Sequence, residues 1–188
     1  MPQRIDIDEH TALEGIQVVL GPLKETNPLL AIQFPTVQLT DHTGAATKTI
    51  ERTSHDHFFL NGTFESGAVL SYSLRGGPAF EGTCGAFWRI YGTKGAIQVT
   101  GPDSYLQIAE DNITIKLHEY EKEGLEELRA EKDEWSAEQY SLYSKNIARL
   151  YEGFADGKSV EEGVPTWEIA VKRHAFVEDM YKKAGVQL

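Results

Sequence analysis

The sequence predicts an α+β fold: an open, largely antiparallel β-sheet with helices packed on one face. Three observations carry it. Asp56–Phe64 and Ala68–Leu74 are rich in aromatic and β-branched residues and flank Glu65, Ser66 and Gly67. Short alternating runs about a glycine-containing turn read as an antiparallel hairpin. A second hairpin signal, Trp88–Thr100, turns at Gly92–Gly95. One helical pattern precedes the hairpins and two follow them, which supplies the layer that a sheet with a buried face requires.

The elements follow in chain order. Asp6–Gly21 is predicted as a helix with Leu13, Ile16, Val19 and Leu20 as its apolar stripe and Gly21 and Pro22 as its stop. Its start is ambiguous: Asp6 with Glu9 and Thr11 with Glu14 both fit a capping box, and Asp8 is a third cap. Lys24–Asn27 reads as a loop and Leu30–Leu39 as a strand interrupted by Pro35, at an edge or a bulge. The turn Asp41–Ala46 leads into a short strand, Thr47–Arg52. After the glycine-rich loop Gly76–Gly85 and the second hairpin, Tyr105–Ala109, Ile113–His118 and Leu125–Ala130 continue the sheet. The charge run Glu119–Glu134 reads as a solvated edge. Of the two closing helices, Trp135–Ala155 carries Tyr140, Tyr143, Ile147, Leu150, Tyr151 and Phe154 on one face. Thr166–Ala184 carries Trp167, Ala170, Val171, His174, Val177 and Tyr181. Both stripes are predicted to dock on the sheet.

Composition narrows the function. The 188 residues are most simply one domain, long enough to bury a core. With 18 Lys+Arg against 29 Asp+Glu the net charge is −11, which argues against nucleic acid and against an anionic membrane surface. The single cysteine, Cys84, excludes an intrachain disulfide and a cysteine-only metal site. No apolar run is long enough to span a bilayer, and the N-terminus lacks the apolar core of a signal peptide. The expectation is a soluble cytoplasmic protein.

Three places could carry chemistry. Asp6 and His10 are four residues apart and share a face if both are helical, so the carboxylate can orient the imidazole as a general acid/base. The alternative is a capping Asp6 beside an incidental surface histidine. His55 and His57 alternate onto one strand face with Phe59, Asn61 and Thr63, and two histidines at this spacing can bind zinc. No third ligand is evident, so no metal is expected. The loop Arg75–Gly85, with Trp88 and Arg89 beyond it, lets backbone approach a ligand, and Arg75 can hold a carboxylate or phosphate; a structural turn is the plainer reading. Cys84 is a nucleophile only with a base beside it, and His174 on its apolar stripe reads as a core histidine. Asp6 and His10 are therefore the catalytic candidates, and His57, Tyr72, Arg75 and Trp88 the substrate-binding ones.

Residues 55–77, 88–102, 146–157 and 164–181, taken in this order, resemble the C-terminal domain of the glucose–fructose oxidoreductase/inositol dehydrogenase (Gfo/Idh/MocA) family. The similarity is strongest to the branch that includes the fungal galactose-pathway repressor, and it runs from about His10 to Tyr181. It implies an open sheet whose free face oligomerises and a substrate held beside a nucleotide-binding domain. Many family enzymes carry D-x-G-x-H-x-x-D at the start of the first helix of this domain. Asp6 and His10 match that pattern, whereas Asp8 replaces its glycine and Leu13 its last aspartate. No G-x-G-x-x-G occurs in these residues, and the family's nucleotide-binding half with its active-site lysine has no counterpart in them. The expectation is thus no bound cofactor and no autonomous hydride transfer.

Three functions remain open on this reading: the substrate-binding and oligomerising half of an oxidoreductase, a cofactor-independent isomerase, dehydratase or cyclase using Asp6 and His10, and a non-catalytic repressor-like module. The opening at Met1, close to the Asp6 helix, mildly favours a freestanding protein. A homodimer through the aromatic-rich sheet face is expected under all three, with a small molecule as ligand.

Overall fold

A computed structural model describes residues 7–103, 112–129, 135, 141–160 and 162–186, with the backbone alone for residues 7–12, 142 and 143. Along the chain run α1 (Ile7–Leu20), β1 (Leu23–Ala31), β2 (Thr36–Thr40), β3 (Ala46–Glu51), β4 (His57–Phe64), β5 (Val69–Arg75), β6 (Ala86–Tyr91), β7 (Gly95–Gly101), β8 (Thr114–Glu119), β9 (Glu126–Leu128), α2 (Leu142–Ala155) and α3 (Trp167–Lys183). The class is α+β, and every strand pairing among the described residues is antiparallel. The chain divides into two compact units, Met1–Gly77 with Val171–Leu188, and Pro78–Ala170.

The first unit contains a three-stranded sheet in the order β1-β4-β5 and a separate β2-β3 ribbon. Alternation along β4 puts Phe58, Leu60 and Phe64 on one face, and all three are fully buried. Their register partners continue that face, Leu74 and Tyr72 from β5 and Leu30 and Pro28 from β1. The helical contribution to this core is Leu13 and Ile16 of α1 with Met180 and Tyr181 of α3. Gly62 interrupts the aromatic row for a steric reason. A Cβ there would lie 2.5 Å from the Glu25 carbonyl oxygen, where the β1 register shifts between Leu23 and Glu25. The β4–β5 turn closes as expected: the Phe64 N–H donates to Ala68 O at 2.9 Å, and Gly67 takes a positive φ of 85° that glycine adopts without a Cβ clash.

The second unit holds the sheet β6-β7-β8-β9, α2 and the first turn of α3. Pairing aligns Trp88, Val99 and Ile115, and Ile90, Ile97 and Leu117, on one face. Phe87, Arg89, Tyr91, Gln98, Lys116 and His118 occupy the other. In α2 the Ser141 side chain caps the N-terminus by accepting from the Ser144 N–H.

Several expectations change. The strand expected at Leu30–Leu39 is two strands, and the Lys24–Asn27 loop is part of β1. Local composition disfavoured Leu23–Ala31, with its charges and Pro28. Pairing with β4 overrides that preference, and proline is tolerated because β1 lies at the sheet edge. The hairpins belong to separate sheets rather than one. The helix expected from Trp135 begins at Leu142, while Trp135 stands apart and donates its Nε1–H to Glu152 at 2.7 Å. Val19, Trp167, Val171 and His174 are exposed, so the buried strip of α3 runs to Met180 and Tyr181 and the expectation of a core His174 fails. Ile147, Leu150, Tyr151 and Phe154 of α2 are exposed as well. The predicted strand Tyr105–Ala109, the tail of the charge run and Tyr140 lie outside the described residues. Among those residues no helix is long and apolar enough to cross a membrane.

Candidate functional site

A polar constellation gathers where β4 begins, around Asp56, which the sequence did not single out. Its carboxylate, 1% exposed, accepts from the Gln33 N–H on Oδ1 and from the Phe34 N–H on Oδ2, both at 2.8 Å. Arg52 Nε lies 3.6 Å from Oδ2, and His57 Nδ1 lies 2.7 Å from Oδ1. The backbone joins in: the Asp56 N–H donates to Ala31 O at 3.1 Å, and Asp56 O accepts from the Gly76 N–H at 2.7 Å. One residue therefore ties the end of β1, the connection into β2, the exit from β3 and the exit from β5. Burial alone would raise the Asp56 pKa. Hydrogen bonds from the Gln33 N–H, the His57 ring and the Phe34 N–H outweigh it and hold the group at about 2.

This carboxylate also orients the His57 ring through Nδ1. An anion against Nδ1 favours the proton on that nitrogen, which leaves Nε2 of the neutral ring as an acceptor. The ring lies near Phe34, with centroids 5.8 Å apart, and stacks on Phe59 at 6.3 Å. His55 behaves differently from the shared face expected for the two histidines. It precedes β4, turns its ring edge toward Tyr181 at 6.4 Å, and burial lowers its pKa, only partly offset by the Asp56 charge. The two imidazoles thus have separate surroundings, and among the described residues no three His, Cys, Asp or Glu side chains are grouped to hold a metal.

Of the other sequence candidates, Asp6 lies outside the described residues, and for His10 the backbone alone is described, within α1. Arg75 is the register partner of His57 and shares its face at the end of the sheet. Tyr72 lies on the opposite face, edge-on to Phe58 at 5.7 Å, so the sheet separates it from His57 and Arg75. Trp88 is half-buried in β6 of the other unit, and Cys84 is exposed. Arg89 forms a second cluster: its guanidinium lies 4.7 Å from the Phe87 ring centroid and 5.8 Å from that of Tyr91. It also donates to Tyr91 Oη at 2.9 Å and Gln98 Oε1 at 2.7 Å. The sequence reading missed Asp56; the local signal available was its place between two histidines, four residues after Arg52 and at the start of an apolar strand.

Residues 9–101 match the family described as Gal80p, C-terminal domain. No curated protein matches the sequence. Among solved structures, a super-repressor mutant of Gal80p from Saccharomyces cerevisiae aligns over 97% of this chain and 48% of its own, with a TM-score of 0.79 at 21% identity. The transcriptional regulator Gal80p of Kluyveromyces lactis aligns over 97% of this chain and 44% of its own, with a TM-score of 0.75 at 23% identity. An NAD-binding oxidoreductase from Klebsiella pneumoniae aligns over 95% of this chain and 48% of its own, with a TM-score of 0.65 at 16% identity. The fold is that of the Gal80p C-terminal domain and of the related oxidoreductase C-terminal domains, and the chain spans less than half the length of these structures.

Proposed function

We propose that this chain is a binding and self-association domain: it pairs with a second copy through an open sheet face, holds a small molecule, and does not carry out NAD(P)-dependent hydride transfer by itself. The observation that carries the reading is the Phe87–Arg89–Tyr91 row. Phe87 and Tyr91 are 56% and 68% exposed, and the guanidinium between them is held by two hydrogen bonds. Aromatic and arginine side chains are what protein interfaces concentrate. A flat strand face of this composition left in water is an association hazard, and a second copy covers it. The double variant Phe87→Ser/Tyr91→Lys tests this by size-exclusion chromatography with light scattering. We expect the parent to elute as a dimer and the variant as a folded monomer; equal masses would contradict the reading.

Two other readings each have an observation behind them. The likeness to the transcriptional regulator Gal80p favours a non-catalytic regulatory module that binds another protein. The Asp6/His10 spacing favours a cofactor-independent acid/base enzyme in which Asp6 orients His10 and His10 moves a proton. For the latter, His10→Ala abolishes turnover of any substrate found, and unchanged turnover removes the pair from the mechanism.

A further inference from the structure

We propose that His55 is an acid-sensitive latch for the C-terminal end of α3: uncharged, its ring seats Tyr181 against the sheet, and protonated, it releases that end of the helix. Residues 52–56 connect β3 to β4, and His55 lies among them, half-buried, with its ring 6.4 Å from that of Tyr181. Tyr181 is itself 3% exposed and belongs to the helical contribution to the core. Nδ1 of His55 is enclosed and has no hydrogen-bond partner among the described residues. An N–H at that position would lack an acceptor, so the neutral ring carries its proton on Nε2 and keeps Nδ1 bare. The second proton has to go to the enclosed nitrogen. There it makes a charged donor with nothing to receive it, which costs far more than a bare imidazole nitrogen does.

The surrounding charges do not reverse this. Asp56 is the charge that acts on the ring, and it favours protonation, but burial outweighs it. Its carboxylate is already met by the Gln33 and Phe34 N–H groups, His57 and Arg52. From α3, Tyr181 is the titratable group that faces the ring, and 6.4 Å lies beyond the roughly 6 Å at which a cation gains from a ring face. Other charges on α3 are paired: Glu178 with Lys182, Asp179 with Lys183, and Arg173 with Glu14 of α1. The strain is relieved on the helix side, because the connection that carries His55 is fixed on both flanks. The Arg52 N–H donates to Pro35 O at 2.8 Å, and the Asp56 N–H donates to Ala31 O at 3.1 Å. A helix end opens at lower cost than a strand paired on both sides, as β4 is. The sign follows from the two states. A released ring titrates at the ordinary 6.5 and the seated ring below it, so the released form takes up the proton first and docking weakens as the pH falls below 6.5.

The test is native-state hydrogen exchange on the full chain from about pH 7.5 to about pH 5, corrected for the intrinsic pH dependence of amide exchange. The amides to follow close the end of α3: the Ala184 N–H on Met180 O at 2.9 Å and the Val186 N–H on Tyr181 O at 3.0 Å. We expect their protection to fall below pH 6.5 by up to about tenfold per pH unit while the amides of β4 keep theirs. His55→Phe keeps an aromatic ring against Tyr181 and cannot take a proton, so the drop should vanish. His174→Gln, on the exposed side of the same helix, should leave the drop intact. Should His55→Phe not fold, the His55 Cε1–Hε1 NMR signal of the parent chain decides: its titration has to coincide with the loss of protection, and a mismatch overturns the latch. Constant protection at Ala184 and Val186 over this range, an equal loss in β4, or a drop that persists in His55→Phe overturns it as well.

Discussion

Asp56 shows how much one buried carboxylate does in a sheet protein. Two backbone N–H groups and an imidazole hydrogen-bond to it and would otherwise need water or another acceptor, and the Arg52 guanidinium pairs with its charge at 3.6 Å without a hydrogen bond from Nε. Its folded pKa of about 2 lies below the ordinary 3.8, so the folded state favours the charged form. The stabilisation is fully present above about pH 4 and is lost as the pH falls toward 2, because there the unfolded state takes up the proton first. Asp56→Asn should therefore lower stability at pH 7 by about 2 kcal/mol, measured by urea unfolding. The variant should also lose part of the acid-induced fall in stability between pH 4 and pH 2. An unchanged acid limb would mean that other carboxylates carry it. His55 makes the complementary point: burial pushes its pKa down, so near neutrality it stays uncharged against Tyr181.

At the scale of elements, alternation and turn chemistry made β4 through β8 readable, since each strand carries apolar residues at alternate positions and a glycine or polar turn beside it. Asp41 is a clear case: its side chain accepts from the Thr43 and Ala45 N–H groups, and Gly44 takes the positive φ that the turn needs. β1 was not legible, because an edge strand gains its pairing from β4 rather than from its own composition. Asp56 was not legible as a site because its partners come from positions 33, 34 and 52, and only the folded chain brings them together. The stripes on α2 and α3 were read as docking faces, yet Ile147, Leu150, Tyr151 and Phe154 of α2 and Trp167, Val171 and His174 of α3 are exposed while Tyr181 is buried, since periodicity reports that a face exists and not what covers it. The start of α2 moved to the Ser141 cap, whose oxygen accepts the Ser144 N–H at 3.2 Å. Ser141→Ala should cost about 1 kcal/mol and reduce helical signal locally, read by hydrogen exchange at Ser144 and Lys145.

At the scale of the whole molecule, an acidic chain of net charge −11 carries a row of aromatic and arginine side chains on a strand face, and the account rests on a second copy covering it. Net charge opposes association at long range, so the pairing should weaken at low salt and strengthen as ions screen the repulsion. The fold is shared with proteins as different as a transcriptional regulator and an NAD-binding oxidoreductase, and fold alone does not choose between their functions. The most direct measurement is sedimentation equilibrium of the unsubstituted 188-residue chain at micromolar concentration and physiological salt. The account predicts a mass of twice 21.0 kDa. A monomer throughout that range would contradict it and leave the Phe87–Tyr91 face without the role assigned to it.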